Sequence, residues 1–387
     1  MQKKKKNQSW IMGVLYGIAI LVIGVFLGMT LNIGSVPDEK LTWALLYFYV
    51  WILAAYYLQI AIHEAGHGVF GLLTGYRFVS YRIGSLLFAK KEDGKIHRYR
   101  YSLAGTAGQC LMGPPEPFRE DMPQLVYNMG GVLMNLIVSA VMIVIWFVLR
   151  GNYWASAPFL CIGSIGILIA LVNGIPMRTA MVDNDGKNAL SLGKDKAALW
   201  AFWAMLKVNE EQNYGKRLSA MPEEWFRLPE GADTSNPIIT SLRINQCSRL
   251  LDQHRFEDAK EAMEECLTDE NLMGLYRSFL INDWTYCALI LGKDTDRIAG
   301  YLDKTQERFR KSMKNMPAVI RTEYALSLLY TKDQEKAAKI REQFDRNYET
   351  YPNKSELEGE MELLAFAEEK SLSERNDPVG EETAKCA

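Results

Sequence analysis

Four stretches of this chain are long and apolar enough to cross a bilayer, which takes about 20 helical residues. They run from Trp10 to about Ile33, from about Leu41 to Leu73, from about Leu125 to Leu149 and from about Trp154 to Pro176. A purely soluble α/β enzyme has no use for such runs. The overall composition hides them, because 49% hydrophobic and 23% charged residues would suit a soluble protein. The two halves differ. Residues 1–190 hold 16 Lys/Arg and 10 Asp/Glu, whereas residues 191–387 hold 28 and 36. Disordered and collagen-like chains are excluded, and a net charge of −2 leaves no broad basic surface for nucleic acid.

The first run follows Lys3, Lys4, Lys5 and Lys6 and is too long for the apolar core of a cleaved signal peptide, so it reads as an anchor. The connection at residues 76–121 carries eight basic residues: Arg77, Arg82, Lys90, Lys91, Lys95, Arg98, Arg100 and Arg119. The two other connections carry one each, Lys40 and Arg150. By the positive-inside rule, this loop, both termini and everything after the fourth span face the cytoplasm of a multi-pass protein of the cell membrane. Cys110, Cys161, Cys247, Cys266, Cys287 and Cys386 show no paired spacing and read as reduced thiols. Within the loop, Arg77–Ala89 and Lys95–Leu103 flank Glu92-Asp93-Gly94, a turn signal, and predict one β-hairpin at the membrane surface.

The expected organisation is a basic tail and anchor at residues 1–34, a membrane core at 35–188, a helical domain at 189–373 and a disordered tail at 374–387. The helical domain shows amphipathic segments and no strand signal. Leu242–Leu251 followed by Arg255–Cys266 has the spacing of a helix hairpin, and Lys332–Phe344 repeats its flavour. It resembles tetratricopeptide-type hairpins without most of their consensus positions. The fold class is therefore mainly α: about four transmembrane helices, a small cytoplasmic β-hairpin and a C-terminal all-α soluble domain.

His63-Glu64-Ala65-Gly66-His67 lies inside the second apolar run. On a helix, residues i and i+4 share a face, so both imidazoles can reach one metal with Glu64 beside it. Ionisable residues in a spanning helix cost about 2.5–3.5 kcal/mol each at the bilayer centre and persist chiefly for function. A catalytic zinc takes three protein ligands and keeps a position open for water. His97, among Arg98, Tyr99 and Arg100, reads as a surface residue, and His254 as a turn between helices. A carboxylate beyond the fourth span is the better third ligand. Asn173-Gly174-Ile175-Pro176 leads there to Asp183-Asn184-Asp185-Gly186.

An H-E-x-x-H inside an apolar span, followed two spans later by Asn-x-x-Pro and Asp-Gly, resembles the site-2 protease family of intramembrane zinc metalloproteases. The likeness covers about residues 41–190. It implies a Zn2+ cofactor held by His63, His67 and Asp185, with Glu64 as general base and Asn173 and Pro176 helping to hold substrate. The family commonly has eight positions from its Asn to its Asp, whereas Asn173 to Asp185 is twelve, which leaves Asp183 as a rival ligand. Gly186 directly after Asp185 favours Asp185. The third run carries Asn128, Gly131, Asn135 and Ser139 on one narrow helical face, which packs closely against neighbouring helices and hydrogen-bonds across them.

The activity implied is hydrolysis of a peptide bond within or near a transmembrane segment of a membrane-protein or peptide substrate. A helical substrate must first be extended, and the 77–103 hairpin is the candidate strand for pairing with it. Expected partners are that substrate, the lipid bilayer and a protein partner for the helical domain. Two rivals fit the same residues. One is a membrane-anchored H-E-x-x-H protease with a Glu ligand from the C-terminal helices; the other is a non-catalytic, membrane-tethered helical module.

Overall fold

The computed structural model describes residues 17, 21–102, 106–177, 183–193, 195–269, 272 and 274–376. The N-terminal half of the first apolar run, the tail from residue 377 and Cys386 lie outside the described residues. Among the described residues, three helices are long and apolar enough to cross a membrane. These are α1 (Leu41–Leu73), α2 (Gln124–Leu149) and α3 (Tyr153–Gly174). The first run contributes a shorter apolar helix, Leu21–Ser35.

Two compact units divide the chain: residues up to Gly84 with Thr106–Asp195, and Ser85–Gly105 with the residues from Lys196. Along α1 and α2 of the first unit the usual burial rule is inverted. The buried positions of α1 include Ala55, Gln59, His63, Gly66, His67 and Gly71, a stripe of small and polar side chains. Those of α2 include Asn128, Gly130, Gly131, Asn135 and Ser139. Leu136, Val144 and Phe147 face outward. Small and polar inside with large apolar outside is the packing of helices whose solvent is lipid, where close approach replaces hydrophobic burial. Aromatic side chains gather at one end: the Tyr47 hydroxyl donates to the Trp154 carbonyl at 2.9 Å, and that of Tyr153 to Ala44 at 2.6 Å.

The loop after α1 holds four strands where the sequence predicts one hairpin. They are β1 (Arg77–Ile83), β2 (Leu86–Lys90), β3 (Ile96–Arg100) and β4 (Gly108–Gly113). Gly84, at φ +55°, turns the chain and divides the first predicted strand into β1 and β2. β1 pairs antiparallel with β4, Tyr81 opposite Cys110, and β2 pairs antiparallel with β3 across the Glu92-Asp93-Gly94 turn. β4 starts within Ala104-Gly105-Thr106-Ala107-Gly108-Gln109, a glycine-rich stretch with no alternating pattern, so periodicity misses it.

After the membrane helices a short helix, α4 (Asp185–Leu192), closes the first unit. The second unit joins the β2–β3 hairpin to α5 (Lys196–Asn213), α6 (Pro237–Asp252), α7 (Phe256–Leu267), α8 (Gly274–Leu291), α9 (Thr295–Tyr301), α10 (Lys304–Ser312), α11 (Pro317–Ala325), α12 (Gln334–Thr350) and α13 (Lys354–Asn376). Trp284, Tyr286, Met263, Leu251, Phe344 and Leu363 fill its core. His254, at φ +59°, makes the turn between α6 and α7, and its Nε2 lies 3.1 Å from the Glu362 carboxylate. The hairpin is tied in by Lys91, whose Nζ donates to the Asn213 and Pro352 carbonyls at 2.9 and 2.8 Å. His97 is exposed on it, 2.9 Å from Asp93.

Candidate metal centre

The apolar run of α1 has no proline, so the helix continues unbroken through its polar residues and places His63 and His67 one turn apart. Asp185 arrives from α4, where it occupies the first turn. Its Oδ2 lies 2.9 Å from His63 Nε2 and 3.4 Å from His67 Nε2, and the two Nε2 atoms are 3.3 Å apart. Among the described residues this is the one group of three such side chains whose ligating atoms all lie within 4.8 Å of one another. Asp183, the rival carboxylate, is not in it.

The outer nitrogens of both rings are already engaged. His63 Nδ1 lies 2.7 Å from Asn135 Oδ1, and His67 Nδ1 lies 2.9 Å from the Tyr127 carbonyl oxygen. Both partners are acceptors, so each Nδ1 carries a proton, and in the neutral imidazole each Nε2 turns a lone pair inward. Two such lone pairs and a carboxylate oxygen then converge with no hydrogen between them. Asp185 Oδ2 is buried and, with both imidazoles neutral, meets no donor among the described residues. A cation is what that set lacks, and two imidazoles with one carboxylate are a donor set that zinc accepts. The residues present therefore fit a divalent metal.

Asn135 is itself held. Its amide donates to Gln59 Oε1 at 2.7 Å and to the Gln59 carbonyl at 3.0 Å, while Gln59 Nε2 donates to the Ile162 carbonyl on α3 at 2.8 Å. A hydrogen-bonded line across all three membrane helices thus orients one imidazole. The sequence reading places Asn135 on a face that packs and hydrogen-bonds across helices, as it does here, but does not tie it to the histidines and misses Gln59. The signal was present: Gln59, His63 and His67 repeat at i, i+4, i+8, and Gln59 is a lone amide in an apolar run. Gly131 makes room for the ring, since a Cβ there would lie 2.5 Å from His63 Cε1.

Asn184, also unassigned by the sequence reading, seats Asp185. Its Oδ1 accepts from the N–H groups of Met177 (2.9 Å) and Lys187 (3.0 Å), capping α4, while its Nδ2 donates to the Val172 and Ile175 carbonyls at 2.7 Å each. Asn173, by contrast, donates back to the Ile169 carbonyl of its own helix at 3.0 Å. Part of the longer Asn-to-Asp spacing, residues 178–182, lies outside the described residues.

Glu64 stands beside the two histidines, and its carboxylate accepts from the Cys110 backbone N–H on β4. The Cys110 carbonyl accepts from the Tyr127 hydroxyl at 3.4 Å. β4 therefore runs alongside the catalytic-type carboxylate, and Gly108 on it lies so close that a Cβ would be 2.8 Å from Glu64 Oε1.

Two imidazoles, a carboxylate and a neighbouring glutamate on helices of membrane length are the equipment of a membrane metal-dependent hydrolase. The model of Peptidase family M50 matches residues 51–351, most of the chain. No curated protein and no solved structure matches. The chain belongs to peptidase family M50, the site-2 protease family, and is a membrane metallopeptidase.

Proposed function

We propose that the chain is a zinc-dependent intramembrane endopeptidase that hydrolyses a peptide bond within or near a transmembrane segment of a membrane protein, in regulated intramembrane proteolysis or peptide processing. The observation that carries this is the convergence of His63 Nε2, His67 Nε2 and Asp185 Oδ2 inside a membrane-type helix bundle, with Glu64 alongside.

In this reading His63, His67 and Asp185 would hold the zinc. A bound zinc supplies polarisation of the scissile carbonyl and a water acidic enough to lose a proton near neutral pH. The Glu64 carboxylate would act as the general base toward the attacking water and as the proton donor to the leaving amine. Asn135 and the Tyr127 carbonyl keep both imidazoles in the tautomer that leaves Nε2 free. A helical substrate hides its carbonyls in its own hydrogen bonds and must be extended before attack. The strand beside Glu64 is β4, not the 77–103 hairpin, and among the described residues β4 pairs on one side only, with β1. Its outer edge is the pairing surface for an unwound substrate. Asn173 and Pro176 are the remaining substrate-positioning residues, and Asn173 must give up its bond to Ile169 to serve.

The basic loop supports a multi-pass protein of the cell membrane with the 76–121 loop and both termini in the cytoplasm. The test is Glu64→Gln in a reconstituted cleavage assay with a membrane-embedded reporter. Metal content and fold should be unchanged, and the rate should fall at least about 100-fold. A wild-type rate would refute the assignment.

A further inference from the structure

The second unit carries a groove unconnected with the metal chemistry. It has a volume of about 440 Å3 and lies between α10, α11 and α12. Its floor is apolar: Val319 and Ile320 are 1% and 2% exposed, and half-buried Ile340 forms one wall. Its rim is basic, with Arg310, Lys311, Lys314 and Lys336 against Glu307 and Glu323. The carboxylates do not neutralise it. Glu323 is shared between Arg310, at 2.5 Å, and Lys336, at 3.4 Å, and Glu307 reaches Lys311 only at 3.8 Å. The exposed Lys314 side chain has no carboxylate partner among the described residues. The loop that carries Lys314 is fixed, because Gln343 on α12 donates to its carbonyl at 2.7 Å.

This surplus stands out against its surroundings. Residues 304–314 contain five basic side chains and one acidic, in a C-terminal half whose charge is otherwise acidic. We propose that the groove is a docking site for an acidic peptide segment that inserts a branched apolar side chain between α11 and α12. The apolar floor selects an anchor and the rim selects carboxylates on either side of it, the pattern of a peptide lying in a helical groove. A flat anionic bilayer fits worse, because the floor is recessed and two carboxylates stand on the rim. The inference rests on neither the metal nor the peptidase reading, so binding and cleavage can fail separately.

The experiment uses the full chain in phosphatidylcholine nanodiscs and a fluorescein-labelled peptide, Glu-Glu-Asp-Leu-Glu-Glu-Ile-Leu-Glu-Asp-Glu-Gly, followed by anisotropy. Saturable binding that tightens as salt is lowered is expected. Binding should be lost when Lys replaces every acidic residue of the probe, and also when Ser replaces its Leu and Ile residues. The triple variant K311E/K314E/K336E, changed only at exposed positions, should weaken binding at least about tenfold while its melting temperature stays at wild type. Three results would overturn the proposal. They are no saturable binding of the acidic probe, equal binding of the Ser-substituted probe, or an unaffected triple variant. Co-sedimentation with phosphatidylserine vesicles that is lost in the triple variant while peptide binding persists would assign the patch to lipid instead and would equally overturn it.

Discussion

Replacing Asn135 with leucine tests whether the line through Gln59 serves the metal site or merely packs the helices. The substitution nearly conserves volume in a fully buried position but deletes two functions. His63 Nδ1–H loses its acceptor at 2.7 Å, and Gln59 Oε1 loses its donor at 2.7 Å. An orphaned buried N–H costs about 1–3 kcal/mol, which corresponds to roughly 5- to 150-fold in an equilibrium constant. Partners of metal-binding histidines typically contribute about 10–100-fold to metal affinity. The expected loss of zinc affinity is therefore about tenfold or more, measured on purified protein in competition with a chromophoric chelator. Gln59→Leu, which reaches His63 through Asn135, should cost less, about three- to tenfold, and the double variant should fall short of the sum of the two. Asn135→Asp keeps an acceptor for Nδ1 and should retain zinc. An affinity for Asn135→Leu within twofold of wild type would refute the reasoning, as would a larger loss for Gln59→Leu than for Asn135→Leu.

Asn184→Ala removes a helix cap and both ties to the end of α3. It should lower zinc affinity at least about tenfold with the helix content intact by circular dichroism, and unchanged affinity would show that Asp185 is seated by other means. Gly186→Ala places a Cβ 2.1 Å from the Gly174 carbonyl oxygen, so it should displace Asp185 and abolish stoichiometric zinc; full metal content would count against this packing. In the second unit, burial raises the Glu360 carboxyl, Arg321 opposes this, and the net value is about 7 against 4.5 for a free carboxyl. A raised acid stabilises the folded state fully below about pH 4.5 and loses that contribution as pH rises through about 7. The loss reaches about 3 kcal/mol. Hydrogen exchange in α13 of the full chain should thus accelerate across that window relative to Glu360→Gln. Parallel profiles for the two proteins would contradict the burial argument.

Apolar run length and helical spacing were enough to read α1, α2 and α3 and the pairing of His63 with His67, because both depend on local repeats along one helix. The same one-dimensional logic places Glu64 beside them. It fails where an element owes its existence to a neighbour. β4 carries glycines and no alternation, and it is a strand because β1 lends it a ladder. Gly84 splits a run that periodicity treats as continuous, since a positive φ leaves no trace in hydrophobic patterning.

The identity of the third carboxylate shows the division most clearly. In the sequence, only the Gly186 that follows separates Asp185 from Asp183, two residues before it. The geometry separates them because Asn184 caps α4 and fastens its first turn to the end of α3, which sets Asp185 Oδ2 against both imidazoles. Likewise, a polar residue in a membrane helix announces that it needs a partner, but not which one. Gln59 finds Asn135 and Ile162 from helices 76 and 103 positions along the chain. Local pattern determined the helices, the motif and the chemistry on offer. Only the packing of three helices, in a medium where every buried polar group must be satisfied within the protein, decided which side chains meet at the metal.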